Sequence, residues 1–411
     1  MKRNVLIIGA GGVAQVVAHK CAGANDRLGD LHIASRTVAK CEAIIESVHA
    51  KGAMSVPGVF AAHSVDAMDT GAVAALIRAT GCQIVINVGS SFVNMTVLQA
   101  CIDTGAAYLD TAIHEDPARI CEAPPWYGNY EWQRRDACRA AGVTAILGVG
   151  FDPGVVNAYA RVAEGMMDSV ASIDIVDINA GSHGRYFATN FDPEINFREF
   201  TGTVYSWQNG GWQENKMFEV GQTFDMPVVG PQKAYLTGHD EVHSLAARYP
   251  QADVRFWMGF GDHYINVFTV LNTLGLLSEK PVKTAEGLEV VPLKLVKAIL
   301  PDPASLAPDY HGKTSIGTIM RGIKDGKPTE VLVYNVADHA DAYAEVGAQG
   351  ISYTAGVPPV AAALLVADGT WDVGHMANVE DLDPAPFITL LNSMGLPSRV
   401  RDADGDRALT F

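Results

Sequence analysis

The segment Gly9-Ala10-Gly11-Gly12-Val13-Ala14 follows the apolar run Val5-Leu6-Ile7-Ile8 and opens a helix-period stretch at residues 13–24. That order leaves few folds open. A strand made wholly of apolar residues is covered on both faces, as in parallel sheets whose crossovers carry helices. The glycine spacing G-x-G-x-x-A has a mechanical meaning in that setting. Gly9 permits a tight turn, Gly11 lets the backbone approach a pyrophosphate, and the small Ala14 allows close packing of helix on strand. Gly12 and Val13 begin the helix, whose free N–H groups and positive dipole end suit phosphates.

Strand and helix patterns keep alternating behind this turn. Strands are predicted at 31–34, 84–88, 107–109 and 144–149, with helices at 37–51, 95–103 and 130–141. In the first of these helices Val38, Cys41, Ile44, Ile45 and Val48 form one apolar stripe. The fold class is therefore α/β, a Rossmann-type doubly wound parallel sheet over residues 1–150. The pattern changes after Gly150. A helix at 154–167, strand alternation at 172–178, a Gly- and aromatic-rich stretch to about 265 and a helix at 267–277 follow. Strands at 314–322 and 330–336 flank Lys324-Asp325-Gly326-Lys327, whose Asp-Gly pair suits a hairpin turn. A second, mixed α+β substrate domain is expected at 151–350. Residues 354–369 read as a helix with Pro358-Pro359 in its first turn, where a missing N–H is harmless.

The end of the second strand distinguishes the two common dinucleotides. An NAD site places an acid there, whereas this chain has Ser35-Arg36-Thr37, hydroxyls and a guanidinium suited to a 2′-phosphate. NADP(H) is the expected cofactor. Ligands of such sheets lie beyond the carboxyl ends of the strands. Three loops there join Gly9, Gly11, Gly12, Val13 and Ala14 as candidate cofactor contacts: Asn87-Val88-Gly89-Ser90, Asp110-Thr111 and Gly150-Phe151-Asp152. Asp152, just before Pro153, equally fits an N-cap of the next helix.

Composition excludes other classes. Lys and Arg total 30 against 46 Asp and Glu, a formal charge of −16, so no nucleic-acid partner is expected. No apolar run of membrane-spanning length is expected either. The six cysteines, Cys21, Cys41, Cys82, Cys101, Cys121 and Cys138, include no C-x-x-C pair and read as reduced, buried thiols of a cytoplasmic protein. His239 and His243 stand at i,i+4, yet Asp240 occupies the place of the zincin glutamate and no third ligand is evident, so no metal is expected.

Taken together, Gly9–Ala14, the Tyr-Leu-Asp-Thr of 108–111, the Gly-Phe-Asp-Pro-Gly-Val-Val-Asn of 150–157 and the Thr-Ala-Gly-Val-Pro-Pro-Val-Ala-Ala-Ala-Leu-Leu of 354–365 resemble the saccharopine dehydrogenase family. The opening, with Ile33-Ala34-Ser35-Arg36-Thr37 and Cys41, is similar to its carboxynorspermidine/carboxyspermidine dehydrogenase branch. The resemblance implies that residues 351–411 return to the nucleotide domain, and that the second domain carries a homodimer contact. It further implies NADPH-dependent joining of aspartate β-semialdehyde to 1,3-diaminopropane or putrescine. A saccharopine-type enzyme using an amino acid, a homospermidine synthase-like enzyme recycling NAD and a non-catalytic NADP-sensing partner protein remain open.

That chemistry asks for proton-transfer groups, donors for a carboxylate and acids for an ammonium. Asp110, His114 and His239 are the catalytic candidates, with His263 a further histidine. Arg185 and Arg198 are expected to bind a substrate carboxylate, with Tyr186 and Asn190 nearby. Asp240 and Glu241 are expected to line the same site. The excess negative charge suits a dicationic substrate.

Overall fold

The structure is a computed structural model that describes residues 2–118 and 123–411. Cys121 lies outside the described residues. The other five cysteines are buried free thiols.

Seven strands form the first sheet: β1 (Asn4–Ile8), β2 (Leu31–Ser35), β3 (Phe60–Ser64), β4 (Cys82–Asn87), β5 (Ala107–Asp110), β6 (Ala145–Leu147) and, from late in the chain, β17 (Met376–Asn378). Their order is β17-β6-β5-β4-β1-β2-β3, every pair parallel. Alternate residues of β1 serve opposite faces. Val5 and Ile7 join the core beneath α1 (Gly12–Gly23) and α2 (Val38–Ala50). Leu6 and Ile8 join the core under α3 (Thr70–Thr80) and α4 (Asn94–Thr104). The strand order reverses between β1 and β4, which opens a crevice at their carboxyl ends. Between residues 52 and 83 the periodicity specifies no element, and β3 and α3 fill that gap. β3 is short and only half-buried, so it lacks the apolar run that marks its neighbours. Two short helices, α5 (Trp126–Asn129) and α6 (Arg135–Ala141), precede β6.

After α7 (Val155–Glu164) the chain builds a ten-stranded mixed sheet. It contains β7 (Ser169–Asn179), β8 (Thr203–Gln208), β9 (Gly211–Lys216), β10 (Gly221–Met226), β11 (Gly230–Thr237) and β12 (Asp253–Gly259). A separate ribbon joins β13 (Val282–Lys283) to β14 (Glu289–Val290). β15 (Lys313–Lys324) and β16 (Lys327–Asp338) are the expected hairpin. Asp325 and Gly326 have φ of 50° and 73°, the paired positive values of a two-residue turn matched to strand twist. Helices α8 (Pro193–Thr201), α9 (Asp240–Arg248), α10 (Asp262–Thr273) and α11 (Pro292–Ile299) surround this sheet.

The last third departs from expectation in three ways. First, the helix expected at 354–369 begins earlier. After α12 (His339–Val346), α13 spans Gly350–Asp368, and Pro358 and Pro359 lie in its interior. Interior prolines each remove a helical hydrogen bond. Here burial overrides that loss, since every residue from Gly356 to Val366 is buried. Gly356 is required at this crossing, because a Cβ there would stand 2.6 Å from Val16 Cβ on α1. Second, α13 is long and apolar enough by length and composition to cross a membrane, contrary to the expectation, but 83% of its apolar window is buried inside the protein. It is a core helix. Third, residues 351–411 do not all return to the first sheet. β17 does, whereas β18 (Ser398–Asp402), which follows α14 (Pro384–Ser393), pairs with β16, and β19 (Gly405–Ala408) pairs with β18.

Candidate active site

The glycine turn after β1 is shaped for an approaching ligand. Gly9 has φ of 120°, and a Cβ there would lie 2.7 Å from the Val88 carbonyl oxygen. The turn therefore presses on the loop after β4. Gly11 is different. It is exposed, forms the N-cap of α1 without a side-chain cap, and a Cβ there would meet nothing within 4 Å. The open face and uncapped helix end fit a pyrophosphate, while Ala14 is fully buried below and Val13 half-buried beside it. A Cβ at Gly12 would meet Ser352 Oγ at 2.6 Å, which brings α13 to the rim.

Ser35, Arg36 and Thr37 stand at the end of β2. Ser35 Oγ accepts from the Thr37 N–H at 3.2 Å, and Thr37 is the N-cap of α2. Arg36 is exposed. In the loop after β4, Asn87 is buried and accepts from the Gly89 N–H at 3.2 Å, with its amide donating to Asn94 at 2.8 Å. Ser90 accepts from the Phe92 N–H at 3.4 Å, and Val88 and Gly89 form the tip between.

Asp110 is fully buried at the end of β5. Its Oδ1 accepts from the Gly148 N–H at 2.6 Å, and its carbonyl accepts from the Val149 N–H at 2.7 Å. Oδ2 is buried without a hydrogen-bond partner. Burial pushes this carboxyl up to about 7. Asp110 thus pins the turn from Gly148 to Gly154, beside half-buried Thr111. The turn is tight: a Cβ at Gly154 would stand 2.2 Å from the Gly150 oxygen. Phe151 is buried edge-on to Tyr159. Asp152 does not cap α7. Gly154 holds that position, and its N–H donates to Asn157 Oδ1 at 2.8 Å. The Asp152 carboxyl instead faces Asp177 of β7.

Asp110 yields a test of pH dependence. The folded protein keeps a proton near pH 7 that an unfolded aspartate loses near pH 4. Between those values folding binds the extra proton, so this group's contribution to stability falls as pH rises from about 4 to about 7, then levels off. Asp110→Asn keeps the acceptor for Gly148. Urea midpoints measured from pH 4.5 to 8 are expected to fall less steeply in the variant than in the wild type. Equal slopes would contradict this.

Beside these loops, β7, α8 and the start of α9 supply a wall of acids around one imidazole. His239 precedes α9 and stacks on Phe256 at 3.9 Å between ring centroids. Its Nδ1 bonds Glu241 Oε2, and its Nε2 lies 3.3 Å from Glu199 Oε1 of α8. Burial opposes a charged ring, but Glu241, Glu199 and Asp152 around it hold His239 well above the usual range. Burial pushes Glu199 up to about 8 and Asp177 up to about 6. Burial also raises Asp240, whose Oδ2 accepts from the Ile113 N–H at 2.6 Å.

Other candidates take structural partners. Arg198 is buried, with Nε 3.2 Å from Glu115 and Nη1 2.8 Å from Glu279, and it donates to the Asp116 and Pro117 carbonyls. Its charge is met within the protein, not held open for a substrate carboxylate. His114 donates through Nδ1 to the Ser91 carbonyl at 3.0 Å and meets the Tyr130 ring edge-on. Asn190 accepts from the Tyr310 hydroxyl at 3.0 Å, in a group with Asn179 and His339. Arg185, Tyr186 and His263 are exposed, and Tyr186 lies against His263. The structure therefore gathers Asp110, His114, Arg198, His239, Asp240 and Glu241, and leaves Arg185, Tyr186 and His263 outside that wall. Asp177 and Glu199 are additional. Asp177 carries a signal in hindsight, an aspartate inside the strand run Ile175-Val176-Asp177-Ile178, where that residue type is depleted. No group of three or more metal-ligating side chains occurs among the described residues.

Residues 5–146 match the family model described as saccharopine dehydrogenase NADP binding domain, and residues 150–396 the model of the saccharopine dehydrogenase C-terminal domain. The chain belongs to the saccharopine dehydrogenase family. Its first sheet is a nicotinamide-dinucleotide binding domain of that family. Carboxynorspermidine synthase of Vibrio alginolyticus is 45% identical over 402 residues, 97% of both chains. The enzyme of the same name from Vibrio cholerae is 44% identical over 96% of this chain and 95% of its own. Carboxyaminopropylagmatine dehydrogenase of Synechocystis is 41% identical over 96% of each. Among solved structures, apo saccharopine dehydrogenase (L-Glu forming) from Saccharomyces cerevisiae superposes with a TM-score of 0.72 at 14% identity, covering 98% of this chain and all of that one. The family fold thus spans both sheets.

Proposed function

We propose that this oxidoreductase performs the NADPH-dependent reductive condensation of aspartate β-semialdehyde with a diamine, giving carboxynorspermidine or its one-carbon-longer analogue. The observation that carries the reading is the end-to-end likeness, at 44–45% identity, to two carboxynorspermidine synthases. In the reaction, a neutral amine attacks the aldehyde carbon, the carbinolamine loses water, and the resulting imine carbon is reduced. The dinucleotide supplies the hydride. The protein's part is to hold and exclude. The Gly9–Ala14 turn and α1 hold the pyrophosphate, and the loops at 87–90 and 148–152 border the reacting end. Mixing protein, NADPH, semialdehyde and each diamine tests the reading by nicotinamide absorbance. Consumption that depends on a diamine is expected, and its absence with every diamine would refute the proposal.

The Synechocystis relative's name supports a second reading, in which the amine is agmatine-like and bears a guanidinium. Agmatine replacing the diamine in the same assay separates the two. The preference for NADPH over NADH rests on Arg36 with Ser35 and Thr37. Arg36→Ala is expected to lower the NADPH/NADH ratio of kcat/KM about tenfold or more, as losing a charge-assisted phosphate contact does. An unchanged ratio would remove Arg36 from the site.

Val270 of α10, Leu274 just after it, and Leu295 and Ile299 of α11 are exposed and apolar, which supports a homodimer through the second domain. Sedimentation of the purified protein as a monomer would count against that contact.

A further inference from the structure

We infer that the carboxylates of Asp177, Glu199 and Glu241, gathered with Asp152 around His239, form the subsite for the distal ammonium of the amine substrate. The inference rests on the reading of the protein as an amine-condensing reductase and specifies where that amine's second charge is held. These acids come from separate elements: the loop after β6, the C-terminal end of β7, α8 and the start of α9. Only Glu241 stands at a helix N-terminus; the other three converge on it through tertiary folding. Four carboxyls, those of Asp152, Asp177, Glu199 and Glu241, thus meet around one imidazole, two of them in direct contact with its ring nitrogens.

A second observation points to a missing partner. Glu241 is wholly buried and its Oε2 is taken by His239, yet its Oε1 has no hydrogen-bond partner. Asp177 Oδ1 is likewise buried and unpartnered. A buried carboxylate oxygen left bare is costly, and a cationic N–H donor offsets that cost. Arg198 does not fill the role, because its guanidinium is committed to Glu115 and Glu279. Glu199 and His239 keep partial access to solvent, 19% and 13% of their side-chain surface. Asp152 ties it to the Gly148–Gly154 turn, which borders the proposed reacting end. An amine bound across this distance presents one nitrogen at the aldehyde and the other at the acids.

The test compares a diamine with propylamine, which has no second charge. In wild type, kcat/KM for 1,3-diaminopropane or putrescine is expected to exceed that for propylamine. In Asp177→Asn and in Glu199→Gln that ratio is expected to fall about tenfold or more each, as with loss of a hydrogen bond to a charged group. A fall in overall turnover with the ratio preserved would show a structural role and overturn the inference. Calorimetric titration of diamine into the NADPH-loaded protein keeps the two readings separable. If wild type binds diamine and either variant binds it about tenfold more weakly, the subsite stands even where no NADPH is consumed. If both variants bind diamine as wild type does, the subsite fails even where the condensation assay succeeds.

Discussion

Arg198→Met is expected to lower unfolding stability by about 3 kcal/mol, the low end for breaking a buried ion pair. The Arg198 side chain is only 3% exposed, whereas those of Glu115 and Glu279 keep 36% and 24% of their surface, so water relieves part of the loss. What remains is the removal of donors to the Asp116 and Pro117 carbonyls and of the ring contact with Phe92. The same substitution at Arg185, which is exposed, is expected to stay within about 0.5 kcal/mol. Urea unfolding with an unchanged m-value reads both. The alternative role, a carboxylate ligand, predicts the opposite pattern. Arg198→Met would then raise KM for the semialdehyde and leave the unfolding midpoint in place.

Arg198 also shows where sequence reading reaches its limit. Its residue type marks it as a group that binds carboxylates, and it does bind them. The partners, Glu115 and Glu279, lie 83 and 81 residues away, so nothing local says that they are protein groups. The same holds for the acid wall. His239, Asp240 and Glu241 stand together in sequence and are visible as a cluster, but Asp152, Asp177 and Glu199 reach it only through tertiary folding. By contrast, the β1 turn and the Asp325-Gly326 hairpin were readable because their geometry is set by backbone freedom over a few residues. The prolines of α13 mislead for the converse reason. Local preference puts Pro358 and Pro359 in a helix's first turn, and only the burial of their surroundings allows the helix to begin at Gly350, four residues before the expected start.

Charge distribution links these points. The chain's 16 excess negative charges suggest a diffuse field at the level of composition. In the fold several acids are instead buried together at one edge, where desolvation makes each harder to ionise. Such an arrangement weakens the empty protein and gains from a cation. Saturating diamine is therefore expected to raise the thermal midpoint more at pH 8 than at pH 6, since more of these carboxyls must be charged at the higher pH. An equal rise at both values would separate diamine binding from the buried acids.

Gly9→Val carries the largest expected effect on ligand binding. The backbone at Gly9 has φ of 120°, a region that side chains rarely adopt. A Cβ there would also meet only main chain: the Val88 oxygen at 2.7 Å, the Val88 carbon at 2.9 Å and the Gly89 nitrogen at 3.0 Å. No rotamer change relieves such contacts, so either the β1 turn or the loop after β4 must move. Both are cofactor-edge loops in the proposed function, so one substitution disturbs two sides of the cradle. The expected losses are about 2–4 kcal/mol of stability from strain and overpacking, and roughly a hundredfold or more in NADPH affinity, a few kcal/mol of binding. Gly11→Ala separates the two effects. Its φ of −102° is ordinary and its Cβ meets nothing, so stability should hold within about 0.5 kcal/mol. Affinity should still fall, because the methyl would occupy the face on which a pyrophosphate must rest. NADPH fluorescence titration beside urea unfolding reads both variants. Should Gly11→Ala bind NADPH as tightly as wild type, the open face at Gly11 is not where the phosphates lie.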